Sequence, residues 1–126
     1  MYYLDTSAIA KLAVAERESE ALVAALEQVP WRATSRVGFV EFRRLAYRSG
    51  VNAARTAAVL AALAVVELDE QVERVAATLD RRLRTLDAVH LASALSIGDE
   101  LTGFVCYDSR LGDAAKAAGL RVLAPG

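Results

Sequence analysis

Phe104-Val105-Cys106-Tyr107-Asp108-Ser109 is an apolar run that stops on a carboxylate and passes straight into a helical pattern. Tyr2-Tyr3-Leu4-Asp5-Thr6-Ser7 does the same at the other end of the chain. Short apolar runs that alternate with longer segments of helical period are the pattern of a parallel α/β sheet. Working outward from these two stretches, the chain reads as a first strand over Tyr2–Leu4 and a helix capped by Thr6 or Ser7 through Ile9, Leu12 and Ala13. A second helix covers Ser19–Leu26, and Trp31–Ala33 forms a weak second strand after Pro30. Ser35 caps a helix that Gly50 ends. Asn52 opens an Ala-rich helix to Leu63, and Val65-Val66 is a third strand. Asp69 caps a helix to about Leu83, Thr85 caps one from Leu86 to Ile97, and Phe104–Tyr107 is the clearest strand. Ser109 caps a helix through Ala118, and Leu120–Leu123 is a last strand.

Nothing in the 126 residues suggests a linker, a repeat or a low-complexity tract, so residues 1–126 are expected to form a single domain. With 55% hydrophobic and 25% charged residues the chain can bury a real core, which excludes wholesale disorder. The longest apolar run, Ala57 to Val66, is about half of the ~20 residues that a spanning helix needs. Asp5 sits where a secretory leader would carry basic residues and then an apolar run, so a cytoplasmic location is expected. One cysteine, Cys106, excludes an internal disulfide and a cysteine-clustered zinc site; it reads as a small core residue. There is no G-x-x-x-x-G-K-[ST], no G-x-G-x-x-G and no G-x-S-x-G, which removes P-loop, dinucleotide-binding and hydrolase-elbow readings.

Most of the sixteen acids fall where a solvated face would put them; four do not. Asp5 and Asp108 each follow a strand, and in open α/β sheets ligands bind at the carboxyl ends of strands. Each can equally cap the helix it precedes. Asp87 lies in Leu86-Asp87-Ala88-Val89-His90-Leu91-Ala92, on the stripe of Leu91 and Ala94, where a buried carboxylate needs a cation or a donor; the alternative is a first-turn Asp favoured by the helix dipole. Glu41, between Val40 and Phe42, is either part of the same set or an ion pair with Arg44. His90 is the sole imidazole and reads as a hydrogen-bonded packing residue, with metal ligation or general-base action as the alternative. Four clustered carboxylates cannot stay ionised together unless a cation offsets their repulsion. An all-oxygen set suits Mg²⁺ or Mn²⁺, which acidify water and neutralise a phosphoryl oxygen, so phosphoester hydrolysis is the chemistry best served.

These motifs resemble those of PIN-domain nucleases, specifically the VapC-like toxins of type II toxin–antitoxin pairs. Leu4-Asp5-Thr6-Ser7-Ala8 resembles their opening motif, and Ser35 with Val40-Glu41-Phe42-Arg43-Arg44 the second. Leu86–Ala92 resembles the third, and Cys106-Tyr107-Asp108-Ser109-Arg110-Leu111 the fourth, in the family's order across the whole chain. The resemblance implies a three-layer α/β/α fold around a central parallel sheet of about five strands. It implies a Mg²⁺- or Mn²⁺-dependent endoribonuclease that cuts structured RNA such as tRNA or rRNA, leaving a 3′-hydroxyl and a 5′-phosphate. Asp5, Glu41, Asp87 and Asp108 would be its acidic quartet, holding the metal and doing the catalysis, with a hydroxyl of Thr6 or Ser7 near the metal. It further implies a homodimer silenced by a cognate antitoxin, with no membrane partner. Asp113 has no counterpart in the motif and stands as a peripheral acid. A haloacid-dehalogenase-type phosphatase also opens with a strand and an Asp, but it needs a second Asp where this chain has Ser7. A PIN-like module that only binds RNA or protein would be expected to have lost part of the quartet, and all four acids are present.

The formal net charge of −1 argues at first sight against a nucleic-acid partner. It conceals two populations. Arg32 to Arg55 holds six arginines and one acid, Glu41, and Arg81, Arg82 and Arg84 precede Asp87. Setting the quartet aside leaves 15 basic against 12 acidic residues. Arginines segregated beside an acidic site can hold phosphates without reading sequence. Arg43, Arg44 and Arg110, next to motif acids, are the candidate substrate contacts.

Overall fold

The first strand in the chain, β1 (Tyr2–Leu4), occupies the middle of the sheet. In a computed structural model that describes all residues from Met1 to Gly126, five strands pair in parallel in the order β3-β2-β1-β4-β5. The others are β2 (Arg32–Ser35), β3 (Ala64–Val66), β4 (Gly103–Val105) and β5 (Val122–Leu123). Between them run α1 (Thr6–Ala13), α2 (Ser19–Glu27), α3 (Arg36–Arg48), α4 (Ala53–Ala61), α5 (Glu70–Thr78), α6 (Thr85–Ile97) and α7 (Ser109–Ala117). Successive residues of a strand point to opposite faces of its sheet, and β1 uses this fully. Tyr2 and Leu4 enter one core with Ile9, Leu22, Phe42 and Leu60, from helices α1 to α4. Tyr3 enters the other with Leu91, Phe104, Cys106 and Leu111, from α6, β4 and α7. The result is the expected α/β/α sandwich of three layers.

Helix α6 is buried along seven successive residues, Ala88 to Ala94, because α5 covers the side turned away from the sheet. A helix apolar on all sides needs such double cover, and it puts His90 deep inside the molecule. On the other face, α3 comes close enough to β2 and α6 that Gly38 is required. A methyl there would press into Thr34 Oγ1 and lie 3.2 Å from His90 Cε1. Alanine favours a helix over glycine by about 1 kcal/mol, whereas overpacking a core costs about 1–3 kcal/mol. Thr34 and His90 are both buried and have no solvent to swing into, so overpacking wins. Gly38→Ala is expected to melt below wild type in a thermal scan; an equal or higher Tm would show that the α3–β2 gap is slack.

Several boundaries differ from the sequence expectations, each for a local reason. β2 runs over Arg32–Ser35 rather than Trp31–Ala33, because Thr34 and Ser35 pair with Val65 and Val66, while Trp31 lies exposed outside the strand. β4 ends at Val105, where its pairing partner β1 ends. α4 stops at Ala61 and β3 starts at Ala64. α5 stops at Thr78, not near Leu83: Leu79 turns extended and Asp80 takes the backbone N–H of Arg82 (2.9 Å), a local bond that competes with helix. Thr85 is the first helical residue of α6 rather than its cap; Arg84 precedes it in extended conformation with no side-chain cap. The caps of α1 and α7 are Asp5 and Asp108, not Thr6, Ser7 or Ser109.

Candidate active site

β1 and β4 are neighbours, and the chain leaves both on the same edge of the sheet. Asp5 directly follows β1, and its own N–H bonds to the carbonyl of Val105 at the end of β4 (3.2 Å). Its Oδ1 accepts from the N–H of Ala8 (3.1 Å), capping α1, and from Ser7 Oγ (2.6 Å). Its Oδ2 receives only the thiol of Cys106 (3.1 Å). Asp108 likewise commits Oδ1 to the N–H of Leu111 (3.0 Å), capping α7, and its Oδ2 has no partner in the protein. Capping and a site role are therefore compatible: one oxygen of each carboxylate caps, while the second receives only a thiol in Asp5 and has no partner in Asp108. Ser7, having donated to Asp5, accepts from the N–H of Tyr107 (3.0 Å) and ties the two loops together. Burial pushes the Asp5 carboxyl above its usual range, against the hydrogen bonds from Ser7, Cys106 and Ala8 that pull it down. Burial and the nearby Asp5 push the Cys106 thiol up, so it stays a donor.

Glu41 comes from α3, one turn beyond Gly38. It pairs not with Arg44 but with His90: Nε2 lies 2.6 Å from Glu41 Oε1, and Thr6 Oγ1 donates to the same oxygen at 2.7 Å. Burial acts to raise the Glu41 carboxyl, but the hydrogen bonds from His90 and Thr6 outweigh it and hold it below the usual range. Behind His90 stands Tyr3, whose hydroxyl is 2.6 Å from Nδ1 and accepts from the N–H of Ser35 at 3.1 Å. Tyr3 reads in the sequence as a plain core residue, and only its phenolic oxygen hints at more.

Asp87 differs from its expected setting. The rest of its stripe, Leu91 and Ala94, is fully buried, but Asp87 itself sits half-buried in the first turn of α6, at the mouth of the sheet edge. Its carboxylate has no hydrogen-bond or ion-pair partner. Burial raises it, Asp108 raises it further, and Glu41 and Asp5 add to the effect, with His90 opposing. Asp87, Asp108, Ser109, Arg82, Arg84 and Arg110 line a recess of about 290 Å³. Thr6, Glu41, Arg44, Arg48 and Leu86 line a groove of about 410 Å³. Leu86 and Asp87 are consecutive, so the two concavities meet at the start of α6. Arg82 is committed to Asp80 at 2.8 Å, whereas Arg44, Arg48, Arg84 and Arg110 have no acidic partner. Arg43 is exposed on α3 and lines neither concavity; Asp113 lies on the far side of Arg110 with Asp80 and Ala117.

The four acids thus gather on one edge within electrostatic reach of each other, although no three of them, with or without His90, stand as a ready-made coordination cage. Their chemistry fits a hard divalent cation: all donors are oxygens, Oδ2 of Asp108 and both oxygens of Asp87 are available, and mutual repulsion raises Asp87.

Comparison with known proteins gives a consistent picture. A PIN domain model matches residues 2–117. Ribonuclease VapC46 of Mycobacterium tuberculosis (strain ATCC 25618 / H37Rv) is 42% identical over 125 residues, spanning 98% of this chain and 96% of that protein. Ribonuclease VapC47 of Mycobacterium tuberculosis (strain CDC 1551 / Oshkosh) is 39% identical over 133 residues, spanning 100% and 98%. Among solved structures, a toxin–antitoxin complex from Klebsiella pneumoniae matches with a TM-score of 0.79 at 22% identity, covering 100% of this chain and 98% of that one.

Proposed function

The chain belongs to the PIN-domain family, in the branch of the VapC ribonucleases, and on that premise we propose that it is a Mg²⁺- or Mn²⁺-dependent endoribonuclease acting as the toxin of a toxin–antitoxin pair. The observation that carries the reading is Asp87: a carboxylate with no protein partner, raised by burial and by three neighbouring acids, in a recess flanked by unpaired arginines. Asp5, Glu41, Asp87 and Asp108 would hold a divalent ion, which would supply acidified water and charge neutralisation at the scissile phosphate. The protein's own contribution is positioning. Asp5 and Asp108 are held rigid by the helices they cap, and Glu41 by Thr6 and His90. Arg84 and Arg110 beside Asp87, with Arg44 and Arg48 beside Glu41, flank the acids on two sides and suit a strand of RNA laid across the start of α6. Phosphate contacts of this kind fix register without reading bases.

The similar Klebsiella pneumoniae structure is a toxin–antitoxin complex, which supports a cognate antitoxin as partner of this chain, and the family resemblance supports a homodimer. The cytoplasm, where the RNA is, is the location that goes with this reading. No helix is long and apolar enough to cross a membrane.

Incubating the purified protein with a 5′-labelled structured RNA tests the reading. Cleavage is expected with Mn²⁺ and not with EDTA, leaving 5′-phosphate and 3′-hydroxyl ends. A protein that binds Mn²⁺ yet leaves every structured RNA intact would sink it. Arg84→Ala and Arg110→Ala are each expected to raise KM several-fold and to lower the slope of log affinity against log salt by about one. An unchanged slope would remove that arginine from the RNA path.

A further inference from the structure

Tyr3 and His90 are the largest polar side chains buried on the α6 side of the sheet, and the reaction outlined above uses neither directly. Both are essentially inaccessible to solvent. The Tyr3 ring stacks on Phe104 with centroids 5.4 Å apart and meets the imidazole edge-on at 5.8 Å. The hydrogen-bond partners decide where the protons lie. The Tyr3 oxygen accepts the N–H of Ser35. The hydroxyls of Thr34 and Ser93 stand near the Tyr3 oxygen, but Thr34 Oγ1 makes no hydrogen bond and Ser93 donates to Val89; the acceptor in hydrogen-bond geometry for the Tyr3 proton is Nδ1 of His90 at 2.6 Å. That leaves Nε2 carrying the ring proton, aimed at Glu41 Oε1 at 2.6 Å, with Thr6 Oγ1 at 3.2 Å as a secondary contact.

We propose that Ser35 N–H, Tyr3 and His90 form a buried relay that locks the imidazole as its Nε2–H tautomer and thereby holds Glu41 by Oε1, turning Oε2 toward the site. This rests on the reading of Glu41 as a site carboxylate. Tyr3 and His90 are then positioning residues that touch neither substrate nor metal. The hydrogen bond at the far ring nitrogen of a histidine selects which nitrogen faces its partner. Groups standing behind a ligand in this way are worth about 10–100-fold in metal affinity or activity. Without the Tyr3 hydroxyl Nδ1 has no partner, so the imidazole is held at Nε2 alone and is free to tilt, carrying Glu41 Oε1 with it.

The chain has one histidine, so ¹⁵N-histidine labelling of the full chain yields a single imidazole in a two-bond ¹H–¹⁵N spectrum. The expected wild-type spectrum shows unprotonated Nδ1 and protonated Nε2, and Tyr3→Phe, which keeps the ring stack, is expected to shift the Nδ1 resonance as its hydrogen bond is lost while Nε2 stays protonated toward Glu41. The same variant is expected to bind Mn²⁺ about 10-fold more weakly by calorimetry and to cut RNA with kcat lowered about 10-fold at unchanged KM. In a Glu41→Gln background, Tyr3→Phe should cost nothing further. A merely structural role would lower Tm and leave Mn²⁺ affinity, the kcat-to-KM split and the cycle unaffected. The proposal is overturned if the wild-type ring carries its proton on Nδ1, or if Tyr3→Phe and His90→Gln both bind Mn²⁺ within twofold of wild type. Should a variant fail to fold, the wild-type tautomer alone decides. A wild type that binds no Mn²⁺ refutes the nuclease reading, while an Nδ1 resonance that moves in Tyr3→Phe still supports the relay.

Discussion

Asp87→Asn is expected to leave a folded protein whose RNA cleavage has fallen by more than about 100-fold, beyond what residues behind a metal ligand are worth. The reasoning is electrostatic. Asp87 has no partner in the protein, so the amide removes no structural contact, but it removes a negative charge and a hard oxygen from the set that would hold the cation. The same substitution should stabilise the metal-free protein at neutral pH. Burial and the neighbouring acids raise the folded-state value of Asp87 above its ordinary one. A group raised in this way contributes stability below its unfolded value and loses it as pH rises through the folded one. At pH 7 the ionised Asp87 is therefore a strain on the fold, and Asn removes it. Metal-free Asp87→Asn should melt above metal-free wild type at pH 7, and the gap should close toward pH 4. Mn²⁺ should reverse the order. A ligand at 100 times its Kd stabilises by about 2.7 kcal/mol, and only the wild type binds tightly enough to gain that in full; EDTA should abolish the gain. Cleavage within tenfold of wild type, from a preparation shown free of contaminating nuclease, would remove Asp87 from the site.

At Asp5, Ala and Asn are expected to part company. Both abolish cleavage, since both remove the charge nearest the junction of β1 and β4. Only Ala should damage the fold. The Oδ1 of Asp5 caps α1 through the N–H of Ala8 and holds Ser7, which in turn holds Tyr107. Losing a cap costs about 0.5–2 kcal/mol, and stranding buried donors costs about 1–3 kcal/mol more, so Asp5→Ala should lose about 1.5–5 kcal/mol in urea denaturation. Asparagine caps as well as aspartate, and its neutral amide escapes the burial penalty that raises the Asp5 carboxyl. Asp5→Asn should therefore stay within about 1 kcal/mol of wild type. Equal losses for the two variants would show that the cap contributes nothing.

The order of elements is legible in the sequence because it is local: apolar runs, caps and glycines are read a few residues at a time. Asp5 and Asp108 stand out for the same reason, each a strand-ending acid before a helix. What is not legible depends on contacts across the fold. Glu41 and His90 are 49 residues apart and Tyr3 and His90 are 87 apart, so no sequence spacing connects them, and the nearby Arg44 looks the better partner. The expected burial of Asp87 comes from extending its stripe back from Leu91. The first turn of α6 emerges at the sheet edge, where that stripe meets solvent. Setting Thr6, Ser7 and Ser109 against the aspartates as rival caps misassigns the helix starts. A carboxylate has two oxygens, and one suffices to cap.

The sheet order has a bearing on how the protein is born. β1 leaves the ribosome before the other four strands, but its inner edge waits for β4, whose last residue is Val105, and the fourth acid is Asp108. At roughly 5–20 residues per second the gap is several seconds of synthesis. Through that interval the nascent chain has at most three of the four acids and a central strand open along one edge, so it cannot finish its sheet. On the proposed function, any product of premature termination before Asp108 is expected to be inert toward RNA, and a ribosome translating this message would be spared the enzyme until Asp108 has emerged.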